Sequence, residues 1–399
     1  MILCHVSLIC TELSKCVKIP FGAMELGIFD ELQREMQVVE KNASHNGYWY
    51  SISDTLTLLV CGMLCRQQRI DDIHDWANSA PTRRFLEEQF GITKVPCRAQ
   101  FYNILRCVAA DKFNEGFTRW MRSVVQSVRG KTISIDGKTV CGTDKLTEDG
   151  SVLHIASALV SELNLVIGSQ ECCTKTGEIA AFRELISLLD VSGSVVVADA
   201  LHCNQKSAEA VLGAGADYLF VVKDNQPTLK ENIVLYMQNE EVPSHKTIEK
   251  NGGRIETRTA YAANNVEWLE GWEKFEISCI GSIHREFEKD GMRSSEWHYY
   301  ISSAPLNPKE LLNHARLEWG IESMHWLLDV HFAEDKTRVW DMNVQKLLNV
   351  TRKIALNMIR IFKEANRPKR TPLTSILKEN LFDLQLFTSF IDFFREKSN

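Results

Sequence analysis

Asp136, Asp199 and Glu322 each occupy a setting suited to a metal-binding carboxylate. Asp136 lies in TISIDGKTV and Asp199 in SVVVADALH, both at the ends of short β-branched runs that read as buried strands. Glu322 lies in RLEWGIESMHWLLDV, within a long amphipathic helical pattern. A carboxylate that ends a buried strand is costly unless it is paired or ligates a cation. Two such strands and a facing helical Glu make a hard oxygen site suited to Mg²⁺. That chemistry points to phosphodiester bonds in nucleic acid. Taken singly, each acid has a plainer reading. Asp136 before Gly137 is also a turn pair, Asp199 a cap for a helix starting near Asn204, and Glu322 a surface acid with Glu318, Asp329 and Glu334 as competitors.

The elements that must hold these residues follow from texture. Residues 27–129 read as helical, with SISDTLTLLVCGMLCRQ the strongest apolar stripe and Ser51, Ser53 or Asp54 as caps. Arg98, Arg106, Arg119, Arg122, Arg129 and Lys131 make the end of this region basic, which suits a small DNA-binding domain or a structural helical cap. TISIDGKTV, LHIASALVS and LVIGSQECC then form three closely spaced strands. EIAAFRELISLLD, SVVVAD, NQKSAEAVLGAG and YLFVVK continue as helix, strand, helix and strand, the order of an RNase H-like α/β fold. A β-rich insertion follows at about 240–305, with a hairpin signal at Asn251 to Gly253. Two long helical patterns come next, and residues 366–399 read as a linker and helix.

The bulk numbers are those of a globular chain of 399 residues with net charge −6. Its twelve cysteines are scattered, without the paired spacing of a zinc site or disulfide framework, which implies a reducing, cytoplasmic setting. The apolar stretch in residues 1–23 is too short to span a bilayer and Met24 reads as the more ordinary start, so residues 1–26 read as an extension and no membrane association is expected. The overall charge argues against a nucleic-acid partner, but its distribution argues for one. Between Lys336 and Arg370 ten Lys or Arg stand against two acids, either a solvated helix face or a DNA contact.

IDGKTV, KTGEI (Lys175 to Ile179), VADALH, DYLFVVKDNQPTL and WGIESMHWLLDVHFAED, in that order and spacing, resemble the DDE transposases of bacterial insertion sequences. The resemblance is greatest to the group containing the H-repeat-associated proteins and covers about residues 27–365. It implies that Asp136, Asp199 and Glu322 hold two Mg²⁺ ions, with Mn²⁺ able to substitute. It also implies double-stranded DNA as substrate, a nucleoid-associated homodimer, cleavage at element ends and strand transfer by direct transesterification. Supporting DNA contacts are expected at Lys138, Lys223, Asn225, Gln226, His325, Lys336 and Arg338. Lys138 also reads as a solvated strand-end lysine, Asn225 and Gln226 as a turn and cap, and His325 as a buried histidine.

Some positions depart from the family pattern. Cys141 stands where an Arg is usual, Ser323 where Asn is frequent, and PCRAQF at Pro96 to Phe101 is altered. The wider Tyr-x2-Arg-x3-Glu-x6-Lys pattern reads Ala315, Glu318, Glu322 and Asp329, leaving Arg316, Lys336 or Arg338 to supply the missing charge. Two alternatives share these residues: a stand-alone RNase H-like nuclease, and a DNA-binding remnant without catalysis.

Overall fold

The computed structural model describes residues 27–41, 49–143, 152–172, 177–251, 254–289 and 292–395. The N-terminal extension, Lys175 and Thr176 of KTGEI, and the two glycines of the expected hairpin turn lie outside them. Six helices come first: α1 (Ile28–Lys41), α2 (Ile52–Leu64), α3 (Ile70–Asn78), α4 (Ala80–Phe90), α5 (Arg98–Cys107) and α6 (Ala110–Val124). Strands β1 (Thr132–Val140), β2 (Leu153–Val160) and β3 (Leu165–Cys172) form the meander. Then come α7 (Glu178–Leu188), β4 (Val195–Ala198), α8 (Gln205–Gly213), β5 (Asp217–Val222) and α9 (Pro227–Asn239). The insertion consists of β6 (Ser244–Asn251), β7 (Arg254–Ala263), β8 (Cys279–Lys289) and β9 (Met292–Ser302). Helices α10 (Pro308–Phe332), α11 (Met342–Asn366), α12 (Leu373–Phe382) and α13 (Leu384–Asp392) complete the described chain.

One mixed sheet runs in the order β3-β2-β1-β4-β5-β9-β8-β7-β6. Its first five strands, an antiparallel meander continued by parallel β4 and β5, have the RNase H-like arrangement. β1, β4 and β5 are rich in Ile, Val and Phe because helices cover both of their faces. The insertion is not a separate layer. β9 pairs antiparallel with β5, so the sheet runs unbroken from the meander into the insertion. The sequence had shown the strands but not this pairing, since long-range strand neighbours leave no local pattern.

The edge at β3 is closed by side chains rather than by another strand. Asn357 on α11 donates to the Val166 carbonyl at 2.8 Å and accepts from its N–H at 3.0 Å. Asn114 on α6 donates to the Ser169 carbonyl at 2.7 Å. These amides satisfy backbone groups that would otherwise template further pairing. Helix α11 is therefore not the solvated basic face that its sequence also allowed. It is buried over most of its length, between the N-terminal helices and the sheet, and Arg352 and Lys353 on it are almost wholly enclosed.

Helix α10 begins at a capping box, with Asn307 accepting from the Glu310 N–H and Glu310 accepting from that of Asn307. It lies along β1. His314 Nδ1 is 2.8 Å from Thr132 Oγ1, and the Ser134 hydroxyl donates to the Leu317 carbonyl at 3.3 Å. Its C-terminal end is pinned to the same strand by Lys138, which pairs with Asp329, Glu334 (2.8 Å) and Asp335 (3.6 Å). Glu334 is fully buried and also accepts from Asn349 at 2.7 Å. Lys353 sits near it with no hydrogen-bond partner for its Nζ, and burial pushes that ammonium down to about 7.

These two lysines have opposite expected effects. Lys138→Met strips a buried carboxylate of its nearest cation and costs about 3 kcal/mol, whereas Lys353→Met removes an unsatisfied buried charge and stabilises by about 1 kcal/mol. Urea denaturation of the two variants reads both signs. A destabilised Lys353→Met would show that its ammonium is a required partner of Glu334.

Candidate active site

Asp136 and Asp199 are brought together by strand register. β1 and β4 run parallel with Ile135 opposite Ala198, so each aspartate is the next residue on neighbouring strands. Adjacent strands lie about 4.8 Å apart. Asp136 is not a turn residue, because β1 continues to Val140 and the aspartate marks where its buried half ends. Its Oδ1 accepts from the Gly137 N–H at 2.9 Å. Asp199 opens a short 3₁₀ turn and accepts from the Leu201 N–H at 3.0 Å.

Glu322 reaches the same place from α10. Asp136, Asp199, Glu318 and Glu322 line one cavity of about 330 Å³. Glu318 and Glu322 are four residues apart and so share a helix face. Burial, reinforced by Asp199, Glu178 and Glu322, pushes the Asp136 carboxyl up to about 6. Burial together with Asp199, Asp136 and Glu322 raises Glu318 to about 7. The site thus holds more negative charge than the bare chain carries comfortably, and hard oxygen donors that repel one another suit divalent cations. The one described set of three acids whose ligand atoms all lie within 4.8 Å of each other is Asp329, Glu334 and Asp335. Lys138 already pairs with all three, so that cluster is an ion-pair centre.

The opposite wall of the cavity is basic and comes from the insertion. Arg258 on β7 and Arg285 on β8 stand directly across from each other in the sheet. Glu256 bridges them, 2.7 Å from Arg258, and both guanidiniums lie near the Trp319 ring, at 5.5 and 4.7 Å from its centroid. Arg316 joins this wall and pairs with Glu249 at 2.6 Å. Sequence reasoning passed over Arg258 and Arg285, since nothing in their spacing ties strand residues 27 apart to a helix beyond them.

The supporting residues fall in different places. Lys223 lines the cavity. Asn225 donates to the Ala200 carbonyl at 2.6 Å and Gln226 to that of Cys203 at 2.9 Å, so both brace the turn that carries Asp199. His325 has its Nδ1 3.6 Å from Asp136 Oδ2, beyond hydrogen-bond range. Burial pushes this imidazole down to about 3, keeping it neutral, and its Nε2 has no partner. Lys138 turns to its three acids, and Lys336 and Arg338 are exposed beyond α10. Ser323 faces inward and donates to the Trp319 carbonyl at 3.2 Å, while Cys141 donates its N–H to Asp335 at 3.2 Å. The N-terminal arginines pair with local acids, Arg98 with Asp75 and Arg119 with Glu35, in exposed contacts that are individually weak.

A family profile described as "Transposase DDE domain" matches residues 130–358, more than half of the chain. The chain belongs to the DDE transposase family. A second profile, described as DDE_Tnp_1-associated, matches residues 36–121. The Escherichia coli K12 protein named "H repeat-associated putative transposase YhhI" is 28% identical over 359 residues, covering 85% of this chain and 94% of that one. "Putative transposase YncI" of Escherichia coli O157:H7 is 30% identical over 331 residues, covering 79% and 83%. The cryo-EM structure of a piggyBac transposase synaptic complex with hairpin DNA aligns at 12% identity and a TM-score of 0.45, covering 96% of this chain and 80% of that one. Among the described residues no helix is long and apolar enough to cross a membrane.

The raised carboxyls set a pH dependence of unusual sign. Between the ordinary carboxyl range and about 7, folded Asp136 and Glu318 bind protons that the unfolded chain has released, so stability falls as pH rises. Without metal, the melting temperature contributed by this site drops from about pH 5 to about pH 8, and Glu318→Gln flattens part of that slope. Added Mg²⁺ raises the melting temperature more at the upper pH than at the lower. Equal Mg²⁺ shifts at both ends would show that the carboxylates do not meet the ion.

Proposed function

We propose that the protein is a DNA transposase that cuts double-stranded DNA at the ends of a mobile element and joins them to a target. The observation that carries this is the shared register of Asp136 and Asp199, with Glu322 across a cavity whose other wall is basic. Asp136, Asp199 and Glu322 would hold divalent cations, Mg²⁺ or Mn²⁺. Bound there, such ions supply charge stabilisation for the attacking and leaving oxygens of an in-line phosphoryl transfer.

The chain's own residues account for the rest. Water attacks the phosphodiester at the element end and releases a 3′-OH, which then attacks a target phosphodiester in one transesterification. Asn225 and Gln226 keep the Asp199 turn in place through the Ala200 and Cys203 carbonyls. Arg258, Arg285, Arg316 and Lys223 present positive charge to the phosphates of a strand entering the cavity. Glu249, Glu256 and Glu296, the acids that pair with Arg258 and Arg285, order the two guanidiniums beside the cavity. Trp319 offers a flat face beneath both. The same wall supplies the positive charge missing from the Arg and Lys pattern positions now held by Glu318 and Asp329. A homodimer fits the need to bring two ends together, and the exposed arginines of residues 27–129 suit a contact with duplex DNA.

The test is strand cleavage of a labelled duplex carrying the DNA that flanks the open reading frame. With Mg²⁺ or Mn²⁺ the wild type yields site-specific nicks with 3′-OH ends and joined products. Asp199→Asn or Glu322→Gln lowers nicking by more than about a hundredfold, the scale on which one electrostatic group in a catalytic site is felt. Nicks without joining would identify a stand-alone nuclease. Binding without cleavage under either metal would identify a DNA-binding remnant.

A further inference from the structure

KTGEI is the one sequence motif still without a role. Its described part opens α7, and Glu178 stands in the first turn of that helix. The Glu178 carboxylate lies directly against the backbone of Gly137, the residue after Asp136. A β-carbon at Gly137 would sit 2.6 Å from both Cδ and Oε1 of Glu178, so no larger residue fits while Glu178 holds this position. Glu178 follows burial and Asp199 among the causes that raise the Asp136 carboxyl.

This carboxylate is mostly buried, at 22% side-chain exposure, and is short of positive partners. Among the described residues its one ion-pair contact is His202 Nε2 at 3.6 Å, too long for a hydrogen bond. His202 is itself enclosed and stacked on Phe182 at 4.3 Å between ring centroids. Among the described residues no Lys or Arg pairs with this partly buried carboxylate, and it lies near the acid Asp136, so it is short of countercharge. Helix α7 packs on β3 and β2, and Glu178 in its first turn reaches β1 at Gly137, so its charge is additional to those of Asp199 and Glu322.

We propose that Glu178 is a fourth carboxylate of the divalent-cation site, acting with Asp136, Asp199 and Glu322. The proposal rests on the cation-dependent reading of that site. It explains why the residue after Asp136 is Gly, since the space above it belongs to a ligand side chain.

The experiment is Mn²⁺ binding to the full chain without DNA, read by electron paramagnetic resonance of free Mn²⁺ and by the metal-induced shift in melting temperature. Wild type, Glu178→Gln, Asp199→Asn and Glu184→Gln, an exposed position on the same helix, are compared. Glu178→Gln is expected to weaken Mn²⁺ binding by about tenfold or more, and Glu184→Gln to leave it unchanged. Its metal-free melting temperature is expected to hold or rise, because a repelling charge has gone; a purely structural role would lower it. Wild-type Mn²⁺ affinity in Glu178→Gln beside weakened binding in Asp199→Asn overturns the proposal and leaves the cation site standing. Wild-type affinity in Asp199→Asn as well overturns both. If Glu178→Gln does not fold, Glu178→Asp withdraws the charge by one methylene, and unaltered Mn²⁺ affinity there overturns the proposal.

Discussion

Mutual repulsion among carboxylates is the constraint on which the architecture turns. β1, β4, α7 and α10 each deliver an acid to one small region, and burial makes the repulsion stronger than it would be in water. A flexible scaffold would relax by letting these charges drift apart. The sheet does not allow it, because Asp136 and Asp199 follow a backbone-paired register on parallel strands. The helix does not allow it either, being tied along β1 by His314, Leu317 and the Lys138 cluster. Negative charge is therefore concentrated at a fixed place, which is what binding a small, highly charged cation demands.

The ion-pair centre behind the site has the opposite character. Lys138 is two residues from Asp136 on the same face of β1, yet it is surrounded by acids and has no part in the cavity lining. Here charges are neutralised internally, and the result is mechanical: the C-terminal end of α10 and the turn after it are clamped to β1. Arg352 and Lys353 of α11 lie buried close to the same centre, in a helix that reads as basic. Of two neighbouring clusters of acids, one thus opens on a cavity and the other is closed around Lys138.

The insertion changes the site's polarity without disturbing its frame. Because β9 adds to β5, strands β7 and β8 extend the same sheet, and their arginines reach the cavity from the side opposite the aspartates. Their charges are partly compensated by Glu249 and Glu256, which orders the guanidiniums above Trp319 rather than leaving them to solvent. This DDE-family chain therefore carries its positive groups largely on strands, whereas its α10 has an acid, Glu318, in the turn before Glu322.

The sequence alone determined the element order and marked Asp136, Asp199 and Glu322 as candidates, because each rests on local information. β-branched runs ending in Asp, a helical stripe holding Glu322 and the spacing of IDGKTV, VADALH and WGIESMHW are all readable within a few residues. The family was legible for the same reason. Tertiary structure decided which groups share a cavity. Glu318 and Glu322 face the aspartates while Asp329 and Glu334 face Lys138, a division set by where α10 lies on the sheet. The arginine wall, the burial of α11 and the approach of Glu178 over Gly137 were equally hidden. Each depends on pairing between segments far apart in the chain, and charge or hydropathy along a single segment does not encode which face its partner will cover.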